Sequence, residues 1–182
     1  MSKKTGVLIV ILGTPDSPST SDVKRYLSEF LNDPRVIDIN PIGRKVLVNG
    51  IIVPTRGPKS AKEYKKLFKI GNGASPLLTY GKNLLKLVRK IGHKQFDVEL
   101  AMRYGNPSMN SILEKMRLAN YDQIIIFPLY PQYASATTGS IIEKAFIIIS
   151  KGWVIPEIKV IGQFYDDFRY LDCVKKVASS FD

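Results

Sequence analysis

Cysteine, histidine and long apolar runs are scarce in this chain of 182 residues. Cys173 is its single cysteine, so the chain can form neither an intrachain disulfide nor a thiolate metal cluster, and a reducing compartment is expected. His93 is its single histidine, and without a nearby second ligand we interpret it as a solvated loop residue. The apolar run 7–12 is too short for a secretory signal or a membrane span. A cytoplasmic protein, at most peripheral to a membrane, is therefore expected.

Acidic residues are also few. The chain has 16 aspartates and glutamates against 27 lysines and arginines, which gives a net charge of +11. Such an excess attracts nucleic acids, acidic membrane surfaces or small anionic ligands. The lysines occur in many segments rather than in one arm, which favours a solvated basic surface over a dedicated polyanion site. Interleaved arginine and aromatic stripes are missing, so no nucleic-acid partner is expected.

Four short, largely apolar segments predict strands buried on both faces of a parallel sheet. They cover residues 7–12, 96–102, 123–128 and 158–161. A helix start signal and an amphipathic stretch follow each of them, and the last signal, Asp166-Asp167, is interpreted as a helix cap. This alternation predicts an α/β fold, doubly wound, with a four-stranded parallel sheet flanked by helices.

A long stretch after the first strand breaks this rhythm. It is expected to contain an apolar segment from Ile42 to Val53, a lysine-rich helix over 58–68 and a longer helix over 76–91. An insertion at this point lies at the carboxyl end of the sheet, where open α/β folds bind ligands. The chain is thus expected to be a single domain, 1–182, with an insertion at about 34–92. It ends on a predicted helix without a closing strand, as a domain cut from a larger protein would.

Polar and aromatic residues follow the second and third strands. Arg103 and Tyr104 end the second strand, and two tyrosines with a hydroxyl-rich turn, residues 128–140, follow the third. The aromatic rings could stack on a flat ligand, and the hydroxyls and helix N–H groups could bind its anionic edge. A rigid turn with a helix cap explains the same residues about equally well.

A lone arginine such as Arg103 suits carboxylate recognition, although a surface salt bridge is its more common role. Residues of the insertion could converge on the same mouth: Arg56, Lys59, Tyr64 and Ser75. The turn Gly13-Thr-Pro-Asp-Ser17 after the first strand matches neither a dinucleotide fingerprint nor a P-loop, which argues against a nucleotide enzyme. The residues alone therefore indicate a basic, aromatic-lined mouth without a visible catalytic base.

Several motifs occur in an order that resembles bacterial ferrochelatases. They are Leu12-Gly-Thr-Pro-Asp16, the segment 23–36, Pro58-Lys-Ser-Ala61 with Tyr64, Gly73-Ala-Ser-Pro-Leu77, Ala101-Met-Arg-Tyr-Gly-Asn-Pro107, Pro128-Leu-Tyr-Pro-Gln-Tyr133 and Thr137-Thr-Gly-Ser140. Each motif alone is weak, but their ordered combination from about residue 7 to the end of the chain is specific. The resemblance implies a Rossmann-like chelatase domain, one of two similar domains with a porphyrin cleft between them.

The resemblance also implies a function in haem biosynthesis. Ferrochelatase is a lyase, a metal chelatase that inserts Fe(II) into protoporphyrin IX or coproporphyrin III. Matched by position, the porphyrin-contacting residues are Arg56, Tyr64 and Ser75, and the cleft-lining residues are Leu12, Arg103, Tyr104 and Tyr130. The segment from Ile42 to Val53 resembles the cleft lip, which in some members touches the membrane.

The family's metal-accepting histidine and its acidic partner would fall beyond residue 182. No catalytic or metal-binding residue is therefore expected here, and the chain is expected to supply the porphyrin-binding half and to be inactive alone. Neither a cofactor nor an iron–sulfur cluster is expected, because Ser135 stands where one cluster cysteine of some members would fall. A non-catalytic tetrapyrrole-binding module is the alternative, and the charge also permits a basic nucleic-acid-binding domain.

Overall fold

The computed structural model describes residues 3–92 and 95–181, and its centre is a four-stranded parallel sheet. The strands are β1 (Thr5–Thr14), β2 (Asp97–Gly105), β3 (Gln123–Pro128) and β4 (Glu157–Val160), arranged in the order β2–β1–β3–β4. Each predicted strand is present, with β1 and β2 longer than the sequence indicated. The α/β prediction is thus confirmed, whereas His93 lies outside the described residues.

Side chains alternate between the two faces of β1, so the sheet has a core on each face. Leu8 and Val10 pack on the face covered by α5 (Met109–Leu118) and α6 (Ser140–Ile149). Ile9 and Ile11 pack on the opposite face, beneath α4 (Pro76–Ile91). Helices on both faces make the sheet doubly wound, as predicted.

Side-chain caps begin three of the helices that the start signals predicted. Ser19 accepts a hydrogen bond from the Asp22 N–H at 3.2 Å before α1 (Thr20–Leu31). Ser108 accepts a hydrogen bond from the Ser111 N–H before α5. Asp167 accepts one from the Arg169 N–H before α7 (Phe168–Ala178). The expected hydroxyl cap of α6 is wrong, because the π-helical turn Ser135–Gly139 leads directly into that helix.

The insertion is more continuous than the sequence indicated. Helix α2 (Pro41–Val46), a π-helical segment (Leu47–Ile52) and α3 (Val53–Ile70) form one helical run, so the separation of an apolar segment from a helix starting at residue 58 is wrong. Proline normally ends or kinks a helix, yet Pro58 lies inside α3. The Val53 N–H bonds the Val48 carbonyl, five residues back, which is the π-helical pattern.

The order of the strands places a crevice at one edge of the sheet. The chain leaves β1 toward β2 on one side, whereas β3 lies on the other side of β1. Loops that follow neighbouring strands then diverge, and open α/β folds bind ligands in the crevice between such loops. None of the described helices is both long and apolar enough to cross a membrane.

Candidate functional site

Asp33, two residues beyond α1, carries the carboxylate at the centre of a buried hydrogen-bond network. Its Oδ2 accepts hydrogen bonds from the Tyr104 hydroxyl at 2.8 Å and the Ser140 hydroxyl at 2.6 Å. The same oxygen pairs with the Arg103 guanidinium, and Oδ1 accepts the Arg35 backbone N–H at 2.8 Å. The network therefore joins the end of α1, the end of β2 and the start of α6 at the carboxyl edge of the sheet.

The network keeps Asp33 ionised although its side chain is buried. Burial alone would raise the pKa of Asp33, but hydrogen bonds from Ser140, the Arg35 backbone and Tyr104, with the charge of Arg103, lower it overall. Burial raises the pKa of Tyr104 to about 12, so this phenol remains a neutral donor. The carboxylate and its donors therefore act as an anchor and not as an acid–base pair.

The positive charge of Arg103 is balanced by an ion pair inside the protein. Its guanidinium pairs with Asp33, donates to the Ser140 hydroxyl at 2.7 Å and lies 4.4 Å from the centre of the Tyr104 ring. Only 12% of its side chain is exposed. The sequence indicated carboxylate recognition for Arg103. In the structure, the carboxylate that Arg103 binds is that of Asp33.

A chain of aromatic contacts connects α3 to β2 across α1. The Tyr64 ring meets Tyr26 edge-on at 6.1 Å, Tyr26 stacks on Phe30 at 6.2 Å, and Phe30 meets Tyr104 edge-on at 5.1 Å. The Tyr26 hydroxyl also donates to the carbonyl of Gly13 in β1 at 3.3 Å. These contacts bring Tyr64 and Tyr104 to the same region, close to the end of β1 that carries the half-buried Leu12.

Tyr130 lies just past β3 and packs against the core beneath α5 and α6. Its hydroxyl is buried without a hydrogen-bond partner among the residues that the structure describes, and so is the hydroxyl of Thr138. Burial raises the pKa of Tyr130, and the nearby Tyr104 raises it further. A buried hydroxyl without a partner costs free energy, so an ordered water bound at either hydroxyl would be stabilising.

Arg35 fixes the connection between β3 and α6. Its guanidinium pairs with Glu143 and donates to the Ser135 hydroxyl at 3.1 Å. A Cβ atom at Gly139 would lie 3.0 Å from the same guanidinium and 2.9 Å from the Tyr133 hydroxyl, so only glycine fits there without a shift. The hydroxyl-rich turn is therefore a rigid element, and Ser135 is part of it.

Arg56 and Ser75 belong to neither the hydrogen-bond network nor the aromatic chain among the described residues. Arg56 is exposed on α3, about two turns before Tyr64. Ser75 is buried at 5% exposure directly before α4, without a side-chain bond to the helix start. The structure thus assembles Tyr64, Tyr104 and Leu12 at one edge and leaves these two residues outside that assembly.

Sequence reasoning missed the residues that organise this edge: Asp33, Tyr26 and Phe30. Asp33 precedes a proline, so the sequence indicates only a turn, and its partners Arg103 and Ser140 are 70 and 107 residues away. Tyr26 and Phe30 are four residues apart on the apolar face of α1 and are typical of an ordinary core stripe. The burial of Asp33 depends on three segments that are distant in sequence, so no local pattern indicates it.

The fold is that of a doubly wound α/β domain with polar and aromatic side chains at the carboxyl edge of its parallel sheet. Residues 4–180 match the family model described as ferrochelatase. Ferrochelatases of Francisella tularensis subspecies tularensis, holarctica and novicida are 41%, 42% and 41% identical to this chain over 174 residues, which cover 95% of its length. The chain belongs to the ferrochelatase family, and it spans about half, 52%, of the length of these relatives.

Proposed function

We propose that this chain supplies the porphyrin-binding half of a ferrochelatase, which inserts Fe(II) into protoporphyrin IX or coproporphyrin III in haem biosynthesis. The observation that carries the proposal is the tyrosine-lined edge between β1, β2 and β3 in a chain that belongs to this family. A porphyrin is a flat aromatic ring with carboxylates on its rim. Fe(II) and the porphyrin are substrates, and we propose no further cofactor.

Arg56 is the arginine that we assign to a porphyrin propionate. Arg103 and Arg35 already pair with Asp33 and Glu143. Arg56 is exposed, and the described part of the chain gives it no ion-pair partner. A guanidinium binds a carboxylate through two parallel N–H groups, so an exposed arginine on the helix that carries Tyr64 suits a propionate.

Tyr64 and Leu12 provide apolar walls for the macrocycle in this proposal. The Tyr64 ring is half-buried and supported edge-on by Tyr26, and Leu12 is half-buried at the end of β1. Tyr104 is fully buried and supports this wall from beneath. Ser75 and Tyr130 add hydroxyls at the margins, where Tyr130 still lacks a partner among the described residues.

Metal insertion requires the loss of two pyrrole protons, and the edge described here is poorly suited to accept them. Tyr104 and Tyr130 have raised pKa values, so neither phenol is ionised near neutral pH. Asp33 is ionised but enclosed by its own hydrogen-bond donors. We therefore assign binding and orientation to this chain and expect it to bind porphyrin without inserting metal.

Fluorescence titration of the purified chain with mesoporphyrin IX tests the proposal. We expect saturable quenching, and Arg56→Ala should weaken binding about tenfold, the loss of one charge-assisted contact. Lys175→Ala, which removes an exposed cation from α7, should leave the affinity unchanged. Absence of quenching would refute porphyrin binding, and zinc insertion at full enzyme rates would refute the division of labour between the two halves.

We also propose a peripheral membrane contact through the lip, from Ile42 to Val53. Ile42, Val46 and Ile51 are 77%, 64% and 56% exposed, and an open apolar groove lies beside them. Apolar side chains on an exposed helix can enter the headgroup region of a bilayer. Co-sedimentation with phosphatidylcholine vesicles should decrease when these three residues become serine, and an unchanged distribution would contradict the contact.

A further inference from the structure

The positive charge of the chain is concentrated on two neighbouring helices. Residues 53–91, which comprise α3, α4 and the turn between them, carry ten lysines and arginines and a single acidic residue, Glu63. They account for nine of the eleven net positive charges. The expectation of an excess spread through many segments is therefore incomplete, because one helix pair holds most of it.

Most of these cations project into solvent without a counter-ion. Helix α3 buries a stripe formed by Val53, Gly57, Ala61 and Phe68, and helical spacing places its lysines 59, 62, 66 and 69 on the opposite face. On α4, Lys82, Lys86 and Lys90 recur every fourth residue. All of these lysines are exposed, and in the described ranges Lys66 alone among them forms an ion pair, with Glu63.

The charged helices are also the helices that border the proposed porphyrin site. Arg56 and Tyr64 lie on α3, and Ser75 directly precedes α4. Lys69 follows Tyr64 by five residues, which is about 7.5 Å along the helix axis. This separation is shorter than the Debye length of about 10 Å at 0.1 M salt. The lysines can therefore attract an anion that approaches the mouth without contacting it once it is bound.

We propose that the lysines of α3 and α4 steer porphyrins electrostatically to the mouth and favour tetracarboxylate porphyrins over dicarboxylate ones. This inference rests on the proposed porphyrin site. Coulomb attraction grows with the charge of the ligand, so a porphyrin with four carboxylates gains more from the field than one with two. Steering of this kind raises association rates by about 10- to 1,000-fold at low salt and acts mainly on association.

Stopped-flow fluorescence with coproporphyrin III, a tetracarboxylate, and mesoporphyrin IX, a dicarboxylate, tests the proposal. Between about 10 and 150 mM NaCl, the association rate of coproporphyrin III should fall roughly tenfold and that of mesoporphyrin IX clearly less. The triple variant Lys62→Glu, Lys65→Glu and Lys69→Glu should lower association at low salt by at least about tenfold and change dissociation by less than about twofold.

A matched control distinguishes an effect of the lysines on α3 from an effect of the overall net charge. Lys151→Glu, Lys159→Glu and Lys175→Glu change the net charge equally at exposed positions between α6 and β4, in β4 and in α7. This control should retain nearly the full association rate. An equal loss in both triple variants, or association that is independent of salt, would overturn steering while leaving porphyrin binding intact. Absence of binding by the unsubstituted chain would instead refute the porphyrin site and the inference with it.

Discussion

Arg103 and Asp33 form a buried ion pair that joins the segment just after α1 to the end of β2. Asp33 has 3% and Arg103 12% of its side chain exposed. Burial removes both charges from water, so the pair is stable only while each group keeps its partners. The Tyr104 and Ser140 hydroxyls supply the remaining bonds to the carboxylate. The Asp33 carboxylate therefore joins three segments at the carboxyl edge of the sheet.

Removal of the Asp33 carboxylate should strongly destabilise the fold. Asp33→Ala leaves the Arg103 guanidinium unpaired in a buried position and removes the acceptor of two hydroxyls. We expect the free energy of unfolding to fall by about 3–5 kcal/mol, measured by urea denaturation. Asp97→Ala is the control, because Asp97 is exposed and accepts one bond, from the Tyr121 hydroxyl at 2.9 Å. It should cost less than about 1 kcal/mol, and equal losses would contradict the central role of Asp33.

The pH dependence of stability should carry the signature of Asp33. Its folded-state pKa lies below the ordinary value of 3.8, so its ionised form stabilises the fold above that value. The stability difference between the unsubstituted chain and Asp33→Asn should stay constant from pH 7 to about pH 5 and shrink as the pH falls below about 4. Urea denaturation at several pH values measures it. A difference that already declines between pH 7 and 5 would indicate a raised pKa instead.

The strands were predictable because a short apolar segment between turn residues indicates a buried strand without information from distant residues. The predicted helix start signals at Ser19, Ser108 and Asp167 worked for the same reason: a cap depends on two or three adjacent residues. The continuous helix through Pro58 was not predictable, because a proline in a sequence normally indicates the start, the end or a kink of a helix. The role of Asp33 depends on residues 70 and 107 positions away, and no local pattern contains it.

Gly13 is required where β1 approaches the end of β2. Its φ of 127° is strained for any other residue, and a Cβ atom would lie 1.8 Å from the Tyr104 carbonyl oxygen. Gly13→Ala should therefore separate the two strands and lower the free energy of unfolding by about 3 kcal/mol or more. Gly43→Ala is the control, because a Cβ there meets nothing within 4 Å and alanine should stabilise α2 by roughly 0.5–1 kcal/mol. Thermal denaturation by circular dichroism compares them, and a neutral Gly13→Ala would contradict the close approach.

Loss of the hydroxyl should lower the free energy of unfolding at Tyr104 but not at Tyr130. Tyr104→Phe removes a donor to Asp33, so we expect a loss of about 1.5–3 kcal/mol, as for a hydrogen bond to a charged group. Tyr130→Phe removes a buried hydroxyl that has no partner among the described residues, so unfolding should be unchanged or slightly harder. Urea denaturation of both variants measures the contrast. A loss in Tyr130→Phe comparable to that in Tyr104→Phe would mean that an ordered water already satisfies Tyr130.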